Sequence, residues 1–312
     1  MNLFQTHPFW VFTLALALSC AQQGAKAQDQ TDSIFMNDAL FHKGLEEKVQ
    51  AAFKSQQGKT VPQLQIEAKA LKNEQSFSWK LVGNPSTEAL KPRDLFQAKK
   101  TAVFLMGRMN QKDKNDYPYA DLYASAFAIS SDGICVTNYH VLAELIHTDK
   151  PTDTLQQSKD LSTYFIEGID GEVYVMDELL AFSSSNDLAV FKVKTNGKKL
   201  PFIPLGPVLL PGEPVYIISH PDHIYYYLSE GIVNKNSLML NPRTPGIRQY
   251  RMTISADYAV GSSGAPILSE AGNLAGVVSS TQTIPSAAPE GNKQQMVMKN
   301  AISVRALKLL IQ

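Results

Sequence analysis

Covalent cross-links cannot hold this chain together, because its 312 residues carry only two cysteines, Cys20 and Cys135. Cys20 falls in an amino-terminal segment that reads as cleaved off or lipidated, so Cys135 has no partner and stability must come from core packing. Charge of one sign is not in excess either: 29 Lys and Arg balance 29 Asp and Glu. No net field draws the chain to nucleic acid or to anionic lipid, and neither is expected as a partner. Apolar runs long enough to span a bilayer are also lacking. The run from Phe9 to Ala21 has the length of a signal-peptide core and is too short for a membrane helix. His220, Asp222 and His223 have no companion ligand cluster, so no metal site and no cofactor are expected. Internal repeats and low-complexity tracts are absent as well.

What is present begins with the leader. Ala25-Lys26-Ala27 is a small-residue exit that would remove residues 1–27 as a signal peptide and start the chain at Gln28. Leu18-Ser19-Cys20 resembles a bacterial lipobox, which would make 1–19 the leader and Cys20 an acylated anchor, although Ala17 stands where a larger aliphatic is usual. Both exits imply export, to a periplasm or the medium. Membrane attachment would come only through a lipid at Cys20.

Residues 28–92 form an extension or prosegment with mixed α/β character and no catalytic motif. Leu45, Val49, Ala52 and Phe53 recur at helical spacing, which predicts a helix over 43–55. Phe77, Trp79 and Leu81 alternate as in a short strand. From about residue 93 to 312 the pattern changes to short apolar runs broken by turns. Strands are expected over 101–106, 123–130, 134–136, 163–169, 172–176, 188–193, 214–219, 225–233, 249–255, 265–268, 274–279 and 295–302. Asp170-Gly171 marks a hairpin, since both residues tolerate positive φ. Residues 196–206, with Gly, Lys and Pro, read as a linker between two halves, about 101–195 and 205–302. Val304, Leu307 and Ile311 share a face of a terminal helix. This spacing predicts an all-β fold, a sandwich or a pair of barrels.

Acyl transfer by a serine needs a nucleophile, a base, an acid that orients the base, and donors for the oxyanion. Gly261-Ser262-Ser263-Gly264-Ala265-Pro266 supplies a serine between glycines that let the backbone turn sharply. The amides of Gly261 and Ser263 can then converge on one oxygen. Thr137-Asn138-Tyr139-His140-Val141-Leu142 offers the base, and Asn186-Asp187-Leu188-Ala189-Val190 offers the acid. Asp187 lies 47 residues after His140 and 76 before Ser263, a His, Asp, Ser order.

These three segments resemble the trypsin-like serine proteases, and the Deg/HtrA branch most in style. The likeness covers roughly residues 95–312 and extends to Val215–His220, Glu230-Gly231-Ile232-Val233 and Asn300-Ala301-Ile302-Ser303-Val304. It implies two six-stranded Greek-key β-barrels with a short carboxy-terminal helix and the site in the cleft between them. It also implies His140, Asp187 and Ser263 as the triad, with the Gly261 and Ser263 N–H groups as the oxyanion hole. Ser262 stands where digestive trypsins carry the Asp that pairs with a newly cut amino terminus, so that activation switch is not expected. Val141 stands where those enzymes have a cysteine beside the histidine, and no PDZ module is expected after the last helix. By the same resemblance, Asp257 would floor the primary pocket and favour Lys or Arg through a charge-assisted contact. Ser279 would line the strand that pairs with substrate backbone, and Thr281 would narrow the pocket. The expected activity is endopeptidase cleavage of protein or peptide through an acyl-enzyme. The alternatives are a catalytically silent peptide binder on the same fold and, third, a narrow serine esterase.

Overall fold

The computed structural model describes residues 35–80, 83–147, 159–240, 246–285 and 294–311. The leader, both of its exits, Cys20 and Gln28 lie outside the described residues. The chain divides into two compact units, Met1–Lys43 and Gly44–Gln312. In the first, helix α1 (Asp38–Phe41) starts at Asn37, whose side chain accepts from the Leu40 N–H. The remaining elements belong to the second unit.

Twelve strands follow among the described residues. β1 (Val103–Asn110), β2 (Tyr119–Ala128), β3 (Ile134–Thr137), β4 (Thr163–Glu167), β5 (Val173–Ser183) and β6 (Leu188–Val193) close a barrel in the order β1-β2-β3-β6-β5-β4. β7 (Pro214–Ser219), β8 (Tyr227–Leu240), β9 (Arg248–Ile254), β10 (Pro266–Leu268), β11 (Leu274–Pro285) and β12 (Gln294–Ser303) close a second, in the order β10-β11-β12-β9-β8-β7. Read from β7, the second barrel repeats the strand order of the first. The architecture is therefore the two six-stranded barrels expected. In the first barrel β6 is paired on both sides, by β3 and β5, and Leu188, Ala189 and Val190 are all buried. At the Asp170-Gly171 hairpin, Gly171 takes φ +73° and donates to the Gly168 carbonyl at 2.9 Å. The 196–206 segment is held to the first barrel where the Leu200 N–H meets the Ser131 carbonyl and the Ile203 N–H meets that of Ala128, both at 2.9 Å.

Ahead of the barrels lie α2 (Leu45–Ser55), α3 (Val61–Ala68) and α4 (Pro92–Lys99). α2 buries Leu45, Val49 and Ala52 against Met109, Phe165, Val173 and Val175 of the first barrel. α3 places Val61, Leu64 and Ala68 in that barrel's main core, with Phe104, Ala189 and Phe191. Thr60 and Gln63 form a reciprocal cap at its start, with Pro in the first turn. The strand expected at Phe77, Trp79 and Leu81 is not formed among the described residues, and Leu81 lies outside them. Phe77 makes a single parallel bridge to Ile311, its N–H donating to the Leu310 carbonyl at 3.0 Å. Helix α5 (Ala143–Ile146) follows the His140 segment, and α6 (Val304–Leu310) ends the fold, capped by Ser303. Cys135 is fully buried, and burial pushes its thiol well up from the ordinary value, so it acts as a packing residue.

Candidate active site

His140 sits on a one-turn 3₁₀ helix directly after β3, which carries it to the rim of the first barrel. Asp187 occupies the tight turn between β5 and β6. Its φ of +52° is left-handed, a costly conformation for a residue with a side chain. Asn138 secures that turn by donating from Nδ2 to the Asp187 carbonyl at 3.0 Å. The carboxylate then faces His140, with Nδ1 at 3.0 Å from both Oδ1 and Oδ2 and the His140 N–H donating to Oδ1 at 3.1 Å. Ser279 on β11 donates its hydroxyl to Oδ2 at 2.7 Å. Burial alone would raise the Asp187 carboxyl, but His140 and the Ser279 hydroxyl outweigh it and hold it below the usual carboxylate range. An ionised carboxylate only accepts, so the bond assigns a proton to Nδ1, and in the neutral imidazole the lone pair is then on Nε2.

Ser263 lies in the turn between β9 and β10, half-buried. The turn is docked onto the first barrel by Ser125: its N–H donates to the Ser263 carbonyl and its hydroxyl to the Gly261 carbonyl, both at 2.9 Å. Thr137, three residues before His140, donates to the Ser125 carbonyl at 2.9 Å and ties the two segments together. Gly261 and Gly264 have φ of +92° and +83°. A Cβ on Gly264 would sit 2.3 Å from Thr137 Oγ1 and 2.4 Å from the Ser125 carbonyl, so this close approach demands glycine.

The flanking peptides are oriented by bonds of their own. The Val260 carbonyl accepts from the Asp222 N–H at 2.7 Å, and the Ser262 carbonyl accepts from the Ala265 N–H at 3.0 Å. Across a planar trans peptide the N–H opposes the carbonyl, so the Gly261 and Ser263 N–H groups point away from those partners. Neither has an acceptor among the described residues. Ser262 is fully buried and donates to Ser219 Oγ at 3.0 Å, which anchors the turn without a carboxylate.

The structure thus brings His140 and Asp187 into direct contact. No hydrogen bond joins Ser263 Oγ to His140 among the described residues. Asp257 does not floor a closed pocket: its side chain is 81% exposed and pairs with Lys299 Nζ at 3.4 Å. Tyr258, one residue on, takes the inward position instead. It is 5% exposed, with its hydroxyl 3.0 Å from the Ser280 carbonyl and 2.7 Å from that of Asn300. Thr281 is exposed on β11. Ser279 touches the acid directly, a contact that sequence spacing could not reveal because 92 residues separate the pair. Ser125 carried no sequence signal beyond its place in an alternating strand. A groove of about 630 Å³ opens beside His140, Asp187 and Ser279 and runs over the outer parts of β8, β9, β11 and β12.

Known proteins resemble this chain over its barrel region. Residues 124–277 match the family described as trypsin-like peptidase domain. Serine protease HTRA1 of Xenopus laevis is 31% identical over 169 residues, covering 53% of this chain and 32% of that protein. The probable periplasmic serine endoprotease DegP-like of Pseudomonas putida (strain GB-1) is 30% identical over 162 residues, covering 51% of this chain and 29% of that protein. The chain therefore spans about a third of the length of these two relatives. The solved structure of the HtrA-type protease AlgW with decapeptide superposes with a TM-score of 0.51 at 18% identity, covering 71% of this chain and 66% of that one. At that identity the likeness is one of fold.

Proposed function

We propose, from the premise that this chain carries a trypsin-like peptidase domain of the Deg/HtrA type, that it is an exported serine endopeptidase working through an acyl-enzyme. Ser263 Oγ attacks the peptide carbonyl carbon while His140 Nε2 takes its proton. The oxygen that becomes negative is met by the N–H groups of Gly261 and Ser263. As the C–N bond breaks, His140 returns the proton to the leaving amine, and water then releases the acyl group by the same steps in reverse roles. Asp187 fixes the imidazole tautomer and stabilises its cation, and Ser279 holds Asp187. Rotation of the Ser263 side chain toward Nε2 as substrate enters completes the pair, as catalytic contacts often tighten only in the loaded site.

The observation that carries this reading is the bidentate approach of His140 Nδ1 to Asp187 at 3.0 Å, beside a serine turn with two unspent amides. A positively charged imidazole formed during proton transfer is stabilised by such a carboxylate, whereas a simple peptide-binding cleft has no use for it. The periplasmic name of one relative supports export. The leader would leave either by cleavage before Gln28 or by lipidation of Cys20, which the mass of the native amino terminus distinguishes.

A fluorophosphonate probe tests the proposal. It should label the folded protein at Ser263, with Ser263→Ala abolishing the adduct and reducing kcat by about 10⁶. A folded protein that neither labels nor cleaves peptides would instead be a silent binder on this fold.

A further inference from the structure

The groove beside the triad holds one cation that the chemistry above does not use. Its floor is one face of the outer parts of β8, β9, β12 and β11, where residues alternate in and out with the pleat. Ser237, Gln249, Thr253, Asn300 and Gln282, together with Met239 and Met298, leave that face uncharged, part polar and part apolar. Arg251, opposite Ser237 in the β8–β9 register, is the only Lys or Arg among the described residues that line the groove, and Asp187 the only carboxylate there. The Asp187 carboxylate is already engaged by His140 and Ser279. Arg251 donates from Nη2 to the Ser185 carbonyl at 2.7 Å and makes no ion pair among the described residues. Its neighbours Arg248 and Tyr250 line a separate hollow on the other face of β9. Burial depresses the Arg251 guanidinium, an effect that the Asp187 charge opposes. A half-buried guanidinium with one of five N–H donors committed to a protein acceptor has desolvation cost to recover and a planar fork to offer.

The groove is also placed to receive extended peptide. β10 pairs with β11 only as far as Val277; beyond it Ser279 lies in a bulge, and Ser280 to Gln282 have a strand partner on the β12 side alone among the described residues. A substrate strand added along that free side would turn alternate side chains into the groove.

We infer that Arg251 selects substrates carrying an aspartate or glutamate within about four residues of the scissile bond, spaced by a strand rise of about 3.3 Å each. The inference rests on the peptidase reading, since the groove begins at His140. A bidentate carboxylate contact to a desolvated guanidinium favours the acidic peptide by about ten- to a hundredfold over its lysine counterpart.

The test uses the mature protein and fluorogenic peptides with Glu, Ala or Lys at each position on both sides of a fixed cleavable bond. Wild type should cleave the Glu peptide with at least tenfold higher kcat/KM than the Lys peptide at one position. Arg251→Gln should remove that ratio, Arg251→Glu should invert it, and Arg251→Lys should keep part of it. Equal cleavage of Glu and Lys peptides by wild type would overturn the inference and leave the peptidase reading intact. A loss in Arg251→Gln that is equal for all peptides, with a shifted pH profile, would also overturn it, making Arg251 a support of Asp187. Should no peptide be cleaved, anisotropy of the same peptides on Ser263→Ala still decides: tighter binding of Glu than Lys peptides, reversed in the Arg251→Glu double variant, sustains the groove assignment, and equal binding ends it.

Discussion

Leu64 and Ile66 lie two residues apart on α3, yet truncation should cost much at one and almost nothing at the other. Leu64 is 1% exposed and packed in the core of the first barrel, whereas Ile66 is 64% exposed. A removable prosegment would dock through a surface and leave the barrel core complete without it. Here Val61, Leu64 and Ala68 are themselves part of that core, alongside Phe104, Met106 and Phe191. Leu64→Ala removes buried methyl groups and leaves a cavity, which costs about 2–5 kcal/mol. At about 2 °C per kcal/mol for a unit of this size, Tm should fall by about 4–10 °C. Ile66→Ala is made on the same helix, with the same chemistry, at an exposed site, and should stay within about 0.5 kcal/mol of wild type. Thermal and urea unfolding of the two variants, followed by circular dichroism, provides the comparison. Equal, small effects would refute the reasoning, as would a protein cut back to residue 93 that melts at the wild-type temperature.

Other perturbations address the site. Asp187→Asn should lower kcat by about 10⁴, because an amide can no longer hold the imidazole in the tautomer that leaves Nε2 free. The Asp187 carboxyl is depressed in the fold, so the stability it contributes is present above its unfolded value of about 4 and is lost as pH falls through the lower folded value. The stability difference between wild type and Asp187→Asn should therefore shrink in urea titrations taken below about pH 4. Gly264→Ala should cost at least about a hundredfold in fluorophosphonate labelling rate, since a Cβ meeting Thr137 and Ser125 at 2.3 and 2.4 Å displaces the nucleophile turn. Asp257→Ala should leave the preference for the residue before the scissile bond unchanged, because its exposed carboxylate is spent on Lys299; a switch away from Lys and Arg in a peptide library would reinstate it as a pocket floor.

Local pattern was enough for what depends on neighbours along the chain. Alternation and turn residues located all twelve strands, but β5, β8 and β11 run six or seven residues past the expected ends at 176, 233 and 279, where in β8 and β11 the apolar alternation gives way to mostly exposed positions. The motifs around His140, Asp187 and Ser263 were legible because tight turns and glycine-dependent geometry restrict residue type locally. α3 and α4 escaped notice, although Thr60, Pro62 and Gln63 carried a helix-start signal for α3. Their apolar stripes are short and take their meaning only from the barrel they cover. The roles of Ser125, Ser279 and Arg251 were likewise beyond reach, since each acts on a partner on another element, far away in sequence. Asp257 illustrates the same limit from the other side. Its spacing from Ser263 suggested a pocket, but the backbone turned Tyr258 inward and left Asp257 to solvent and Lys299. Sequence by itself determined which segments are strands and which residue types could perform the chemistry. Tertiary structure alone decided which of them meet, because closing two barrels sets distances between residues that the chain separates by scores of positions.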